Sequence, residues 1–342
     1  MSHPGEASGG AGPGPAPARP ADPMAAPARP PAARAFFRLL FGREPEEPAE
    51  MRALLAKRPT LRRLRQDLLR DPRFHKEVRP WLRWVPLAPE PLPIETEASP
   101  ADLAAMMGHI GAFWERIGQE RPHHSVLTQD RFLPEKIGGN KDAFHQTGRH
   151  EAEMVATMLR RHGIGPASLR HAVDYGCGVG RTTLALAAMF DRVTGCDISA
   201  SHMAIAEAEA AARGLENLAW HRATPAAPMP PGAWDLWHSR IVLQHNPPPV
   251  MVHLLRLAFA GLAPGGVAIF QLPTHGEGYG FSVAAHLARG DESRMQMHVL
   301  PQARVFALAA EAGLDLLEVR EDRATGRPDE WLSNLFVMRR PR

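Results

Sequence analysis

"AVDYGCGVGRTTLALAAMF", residues 172–190, decides how this chain is read. An apolar pair leads into Asp174, Tyr175 follows, and glycine then takes the alternate positions 176, 178 and 180. The stretch from Arg181 has the composition of a helix. A strand, a turn stripped of side chains and a helix in direct succession mark a place where backbone must approach something closely. The chain downstream repeats the alternation. Strands are expected at "RHAVDY", "RVTGCDI", "NLAWHRA", "WDLWHS" and "VAIFQLP", and a closing pair at "LDLLEVRED" and "WLSNLFVMRR". Helices are expected at "RTTLALAAMF", "SHMAIAEAEAAARG" (capped by Ser199 and Ser201, closed by Gly214), "PPVMVHLLRLAFAGL" and "PQARVFALAAEAG". Such alternation requires an α/β fold with a doubly wound, mostly parallel sheet. Its ligand lies beyond the carboxyl ends of the strands, where the winding reverses. The glycine loop follows the first strand and belongs there.

Asp197 ends the next strand, twenty-one residues after Gly176, where an acid grips ribose hydroxyls. A dinucleotide site also needs a small residue at the sixth position of its fingerprint. Here that position is Arg181, and the extra glycine comes one place earlier. The cofactor therefore carries ribose and is not NAD. In their order, "AVDYGCGVGR", "VTGCDIS", "WDLWHSRIVLQH" and "LAPGG" resemble the motifs of class I S-adenosylmethionine-dependent methyltransferases, over about residues 140–342.

That resemblance implies a Rossmann-like seven-stranded sheet closed by an antiparallel hairpin, with S-adenosylmethionine as cofactor. It implies that Gly176, Cys177, Gly178 and Gly180 run against the methionine part, that Asp174 lies near its ammonium group, and that Asp197 accepts the ribose hydroxyls. Ile198 and the segment after the third strand would hold the adenine. Many relatives carry an acid in that segment; this chain has Ala223 and Thr224, so Thr224 or the backbone takes its place. Ser239 would lie beside the methionine portion.

The sulfonium is already an activated methyl donor, so the protein chiefly aligns a nucleophile in line with it. A hydroxyl acceptor also calls for a general base. His145, His245, His275 and His298 fall in suitable stretches, and His245, after the fourth strand, is the expected catalytic residue. "HNPPPV" does not match an amino-group methyltransferase motif, because Asn246 is seven residues beyond Ser239 and Pro249 holds the aromatic position. Neither cysteine stands where a cytosine C5-methyltransferase needs its nucleophile. The helices of 99–162 and the insertion 274–298, with Gly276, Gly278 and Gly280 as a hinge, are expected to flank an acceptor pocket. The reading is methyl transfer to a small-molecule or glycan-type acceptor, at oxygen. The alternative is a catalytically inactive cofactor-binding scaffold working through its N-terminal helices.

The rest of the chain sets the boundaries. With 342 residues, 44% hydrophobic, it can bury one large core and carry an appendage. Residues 1–34 are almost wholly Pro, Ala, Gly and Arg, without a periodic apolar face, and are expected to be disordered. Residues 35–98 are expected to form a small helical module, with Leu61, Leu64 and Leu68 on one face, and a Pro-rich linker from 79. The module's "FFRLLFGREPEE…LLRDPRF" resembles one found beside glycan-biosynthesis enzymes. Residues 99–342 form the main domain, with 99–165 as a helical lead-in starting at the N-cap Ser99. The net charge is +3, but only four of the 40 basic residues are lysines and the arginines are scattered, so nucleic acid is not indicated. Cys177 and Cys196 form no metal-binding spacing and suit a reducing compartment. Without a secretory h-region or an apolar run of about 18 residues, a cytoplasmic protein is expected.

Overall fold

The computed structural model describes residues 22–41, 45, 48–56, 59–74, 92–290, 294–322 and 331–342. The chain divides into two compact units, Met1–Leu87 and Ala88–Arg342. The division falls before the boundary expected at 98/99.

The first unit holds helices α1 (Pro30–Phe41), α2 (Pro48–Leu55) and α3 (Leu61–Leu69). Its core is Ala33, Phe37, Leu64 and Leu68, with the rings of Phe37 and Phe41 stacked at 4.5 Å. Leu64 and Leu68 are buried as their spacing predicted; Leu61 is only half-buried. The expectation that residues 1–34 are disordered is corrected for 22–34. Pro30 starts α1 at a position where proline's missing N–H is harmless. Ala28 N donates to Pro59 O and Leu61 N to Ala26 O, tying this segment to α3. Asp22 also pairs with Arg62. Burying side chains such as Phe37 and Leu64 is worth roughly 1.5–3 kcal/mol each, which a reading by proline and alanine content overlooks. Residues 1–21 and 75–91, with most of the proposed linker, lie outside the described residues.

The second unit begins with 92–98 laid on its own fold: Glu97 pairs with Arg256 and Arg304, and Ile94 bridges to Phe281. These residues are thus a packed strap, not a linker. Then follow α4 (Pro100–Glu120), α5 (Pro122–Val126), α6 (Lys141–Arg161), β1 (His171–Tyr175), α7 (Thr183–Leu186), β2 (Arg192–Asp197), α8 (Ala200–Ala212), β3 (Leu218–Arg222) and β4 (Trp234–Ser239). The chain continues through α9 (Pro248–Ala260), β5 (Leu262–Gly276), α10 (Val283–Arg289), α11 (Gln302–Glu311), β6 (Asp315–Asp322) and β7 (Trp331–Arg339). The described strands make one seven-stranded sheet in the order β3-β2-β1-β4-β5-β7-β6. β1 to β5 are parallel to their neighbours among them, and β7 is antiparallel to both β5 and β6.

Alternate residues of the central strands feed two cores. Ala268, Phe270 and Leu272 of β5 face one side with Trp237 and Phe336, while Val267 and Ile269 face the other with Leu236 and Val337. Parallel strands covered on both faces in this way read as unbroken apolar runs. The winding goes from β1 out through β2 to β3 and then crosses back to β4 beside β1. The reversal therefore lies between the carboxyl ends of β1 and β4.

Candidate active site

A cleft of about 940 Å³, its open mouth included, lies at this reversal. Gly176, Cys177 and Gly178 form one wall, Asp197 and Ile198 the end of β2, and Arg240, Ile241 and Val242 the segment after β4. Two of the glycines have a physical reason. Gly176 and Gly178 have φ of +77° and +52°, which glycine alone adopts freely. A Cβ at Gly176 would collide with Val242, and one at Gly178 would stand 2.8 Å from Val126. The loop is bare because the cleft's own walls close on it. Gly180 serves another purpose. It is outside the lining, and a Cβ there would lie 3.0 Å from Ala206, so it lets α8 pack behind the loop.

The lead-in forms the cover. Met107, Ile110 and Trp114 of α4 and Ser125 and Val126 of α5 line the cleft. Ser99 caps α4 as expected, accepting from Asp102 N at 3.1 Å. Further along, Glu115 accepts from Ser201 N and Ser201 Oγ, which pins α4 to the first turn of α8. Ser125 Oγ donates to Pro122 O, so its contact with His202 Nε2 at 2.8 Å is one in which the imidazole donates. This pair braces the cover.

Asp197 is buried, with Oδ2 accepting from Gly178 N at 2.7 Å and Oδ1 from Ser199 N at 2.9 Å. Burial raises its pKa, opposed by His202 and the backbone donors. The carboxylate lines the cleft and has acceptor capacity beyond these bonds. Asp174 accepts from Thr183 Oγ1 at 2.7 Å and from His238 Nδ1 at 3.0 Å. His238 Nε2 faces Glu151 Oε1 at 3.4 Å, an ion-pair contact without hydrogen-bond alignment. Glu151 accepts from Arg240 at 2.7 Å, Arg181 stands 3.8 Å away, and Arg240 pairs with Asp322 at 3.0 Å. Burial alone would discharge His238, but Asp174 and Glu151 overcome it and push its pKa up to about 9. Burial would likewise protonate Glu151, and its cationic neighbours hold it at about 2. Three acids and three bases thus balance at the inner end of the cleft.

Sequence reasoning missed this cluster apart from Asp174. It weighed Arg181 only against NAD. It also missed Ile241, which has φ of +61°, a rare conformation for a β-branched residue. The buried Gln271 holds it, accepting from Ile241 N at 2.9 Å.

Besides Gly180, three expected site residues are elsewhere. Thr224 is outside the lining and closes its own turn, accepting from Ala227 N at 3.0 Å. Ser239 is fully buried behind the lining. His245 is buried against Trp114, at 5.4 Å between rings, and its Nδ1 donates to Gln296 O at 2.8 Å. Burial lowers its pKa to about 4. An imidazole so weakly basic and outside the cleft is a poor base at neutral pH. His245→Gln is therefore expected to lower the melting temperature while the methylation rate per folded molecule stays within about threefold, against the 10²–10⁴ loss of a general base. Melting curves beside single-turnover rates check this.

The described part of the insertion 274–298 packs on the rest of its unit, with Phe281 N donating to Pro93 O. His298 N donates to Gln244 O, and its ring contacts Tyr279, Phe281 and His286. Burial lowers His298 to about 3. An unfolded histidine titrates near 6.5. The unfolded chain thus gains protons first as pH falls, so His245 and His298 add stability above about pH 6.5 and lose it below. Each removes about 2 kcal/mol by pH 5. His298→Phe should flatten the fall of melting temperature between pH 7 and pH 5; an unchanged slope would reject this origin.

Residues 172–266 match the family model described as a methyltransferase domain. The matched segment holds the glycine loop, Asp197 and β4, so the chain contains a methyltransferase domain, consistent with the class I S-adenosylmethionine-dependent enzymes, and S-adenosylmethionine is its cofactor. The residues fit such a group: a glycine-rich loop and a buried carboxylate, Asp197, line the same cleft. Magnesium protoporphyrin IX methyltransferase from Synechocystis PCC 6803, with bound S-adenosylhomocysteine, is similar at 15% identity and a TM-score of 0.49, over 69% of this chain and 99% of that one. The [4+2]-cyclase SpnF is similar at 17% identity and 0.39, over 50% and 74%. Phosphoethanolamine N-methyltransferase 2 from Haemonchus contortus, with S-adenosylmethionine, is similar at 16% and 0.39, over 51% and 49%. What those proteins act on says nothing of the acceptor here. Among curated proteins no match is found.

Proposed function

We propose that this chain methylates a small-molecule or glycan-type acceptor at oxygen, in the cytoplasm. The carrying observation is the cover: α4 and α5 lie across the cleft and bound it with Trp114, a flat apolar face suited to a compact ring. Among the described residues, no helix is long and apolar enough to cross a membrane.

In this reading Asp197 accepts the ribose hydroxyls, Gly176, Cys177 and Gly178 run beside the methionine part, Asp174 meets its ammonium and Ile198 packs on the adenine. Thr224, Ser239 and Gly180 act only through the framework. S-adenosylmethionine supplies an activated methyl group. The chain's own part is to hold the acceptor oxygen in line and exclude water from the inner end, where about 3–3.5 Å separates reacting atoms. With His245 outside the cleft, the acceptor suited to it has an acidic oxygen, such as a carboxylate or phenol, which ionises without a dedicated base. Donor labelled at its methyl group, offered with a panel of carboxylate, phenol, sugar and amine acceptors, tests this. Label in an alkali-labile ester or an aryl ether is expected; label on nitrogen alone would overturn it.

A further inference from the structure

Arg181, the residue whose bulk excluded a dinucleotide, lines the methyl-transfer cleft and has no part assigned there. Gly148 fixes where its side chain starts. A Cβ on that glycine would stand 1.9 Å from the Arg181 carbonyl oxygen and 3.1 Å from its Cγ, so α6 lies directly against it. The guanidinium ends up beside Thr147 and Glu151, at the inner end of the cleft. Only 7% of the residue is exposed.

Its partners are poor for a buried charge. Nη1 donates to Thr147 Oγ1 at 3.4 Å, and Nη2 stands 3.8 Å from Glu151 Oε2, beyond hydrogen-bond reach. Among the described residues Nε makes no hydrogen bond, and neither Nε nor Nη2 is sealed from open space as His238 Nε2 is. The other cations at this end are engaged. Arg240 gives Nη1 to Glu151 and both Nε and Nη2 to Asp322, and His238 gives Nδ1 to Asp174. Burial pulls the pKa of Arg181 below its usual value, although Glu151 and Asp174 oppose the shift. A buried guanidinium with idle donors beside a cleft suits an anion brought by the ligand.

The balance of charge narrows the choice of anion. The inner end already sets Asp174, Glu151 and Asp322 against His238, Arg240 and Arg181, so it admits a zwitterion more readily than a lone ion. The amino-acid end of S-adenosylmethionine is such a zwitterion. From the idle donors of Arg181, its burial beside the cleft and the prior engagement of Arg240 and His238, we infer that Arg181 binds the methionine carboxylate of the donor. This role rests on the donor lying as proposed above, with its ammonium at Asp174. The side chain that bars a dinucleotide then selects an amino-acid tail.

The test is calorimetric titration of the full chain with S-adenosylmethionine and with decarboxylated S-adenosylmethionine, which lacks only the carboxylate. The unaltered protein is expected to bind the complete donor about tenfold tighter or more, because hydrogen bonds to a charged group go with the carboxylate. Arg181→Gln should weaken the complete donor by a similar factor and leave the decarboxylated one unchanged, so that the preference disappears. 5′-Methylthioadenosine, which has neither the carboxylate nor the ammonium, should bind both proteins alike. Equal affinity of the unaltered protein for the two donors overturns the role, and that comparison needs no variant to fold. So does a variant of unchanged melting temperature that loses both donors equally, as a merely structural arginine would. Binding of neither donor to the unaltered protein overturns the placement of the donor along with the role.

Discussion

Replacing Asp197 by alanine is expected to weaken S-adenosylmethionine binding roughly a hundredfold or more while the fold survives. A hydrogen bond to a charged group contributes about 1.5–3 kcal/mol, and in the proposed pose this carboxylate accepts two from the ribose. Even the lower figure twice over gives about 3 kcal/mol, and 1.4 kcal/mol is a factor of ten. Asp197 also accepts from Gly178 N, so its loss loosens the loop that the methionine part rests on. Both effects point the same way. Calorimetric titration of the two proteins with donor, beside melting curves without it, decides the matter. Equal affinities at equal stability would falsify the ribose assignment.

The second large effect is on stability. Glu151→Ala is expected to lower the melting temperature of the second unit by about 10 °C. Glu151 is 4% exposed and faces His238, Arg240 and Arg181. Removing one partner of a buried ion cluster leaves uncompensated charge and costs about 3–5 kcal/mol. For a domain of this size each kcal/mol corresponds to about 2–4 °C. The pH dependence has a definite sign. His238 titrates near 9 in the fold and near 6.5 unfolded. Its contribution is therefore complete below pH 6.5 and fades as pH rises through 9, and Glu151→Ala should remove part of that alkaline loss. A drop of less than about 2 °C at pH 7 would mean that the cluster relaxes or takes in water.

The parallel core was legible because its physics is local. β4 runs Trp234–Ser239, matching "WDLWHS", and β6, β7 and α11 begin or end within about a residue or two of their expected limits. Buried strands write unbroken apolar runs, and a turn needing positive φ writes glycine. β5 runs on to Gly276, past Pro273, which looked like its end; a register shift there absorbs the proline. α6 begins at Lys141, although Gly148 and its polar neighbours do not look helical in the sequence. That glycine answers a distant demand, since a Cβ on it would collide with the Arg181 carbonyl. The ion cluster was invisible for the same reason. Arg240 and Glu151 are 89 residues apart, and no spacing rule joins them. His245 was misjudged because nearness to a strand end in sequence does not say which way the chain turns next.

Ile241 carries a consequence for how this protein can change. Left-handed backbone costs a residue with a Cβ roughly 1–2 kcal/mol, and Gln271 holds Ile241 there at the edge of the cleft. Stability is thus withheld at a residue that touches the reaction space. Variants selected only for resistance to heat should converge on Ile241→Gly or Ile241→Asn, which release the strain. Variants selected for turnover should keep the isoleucine, so the two kinds of selection would part company at this one position.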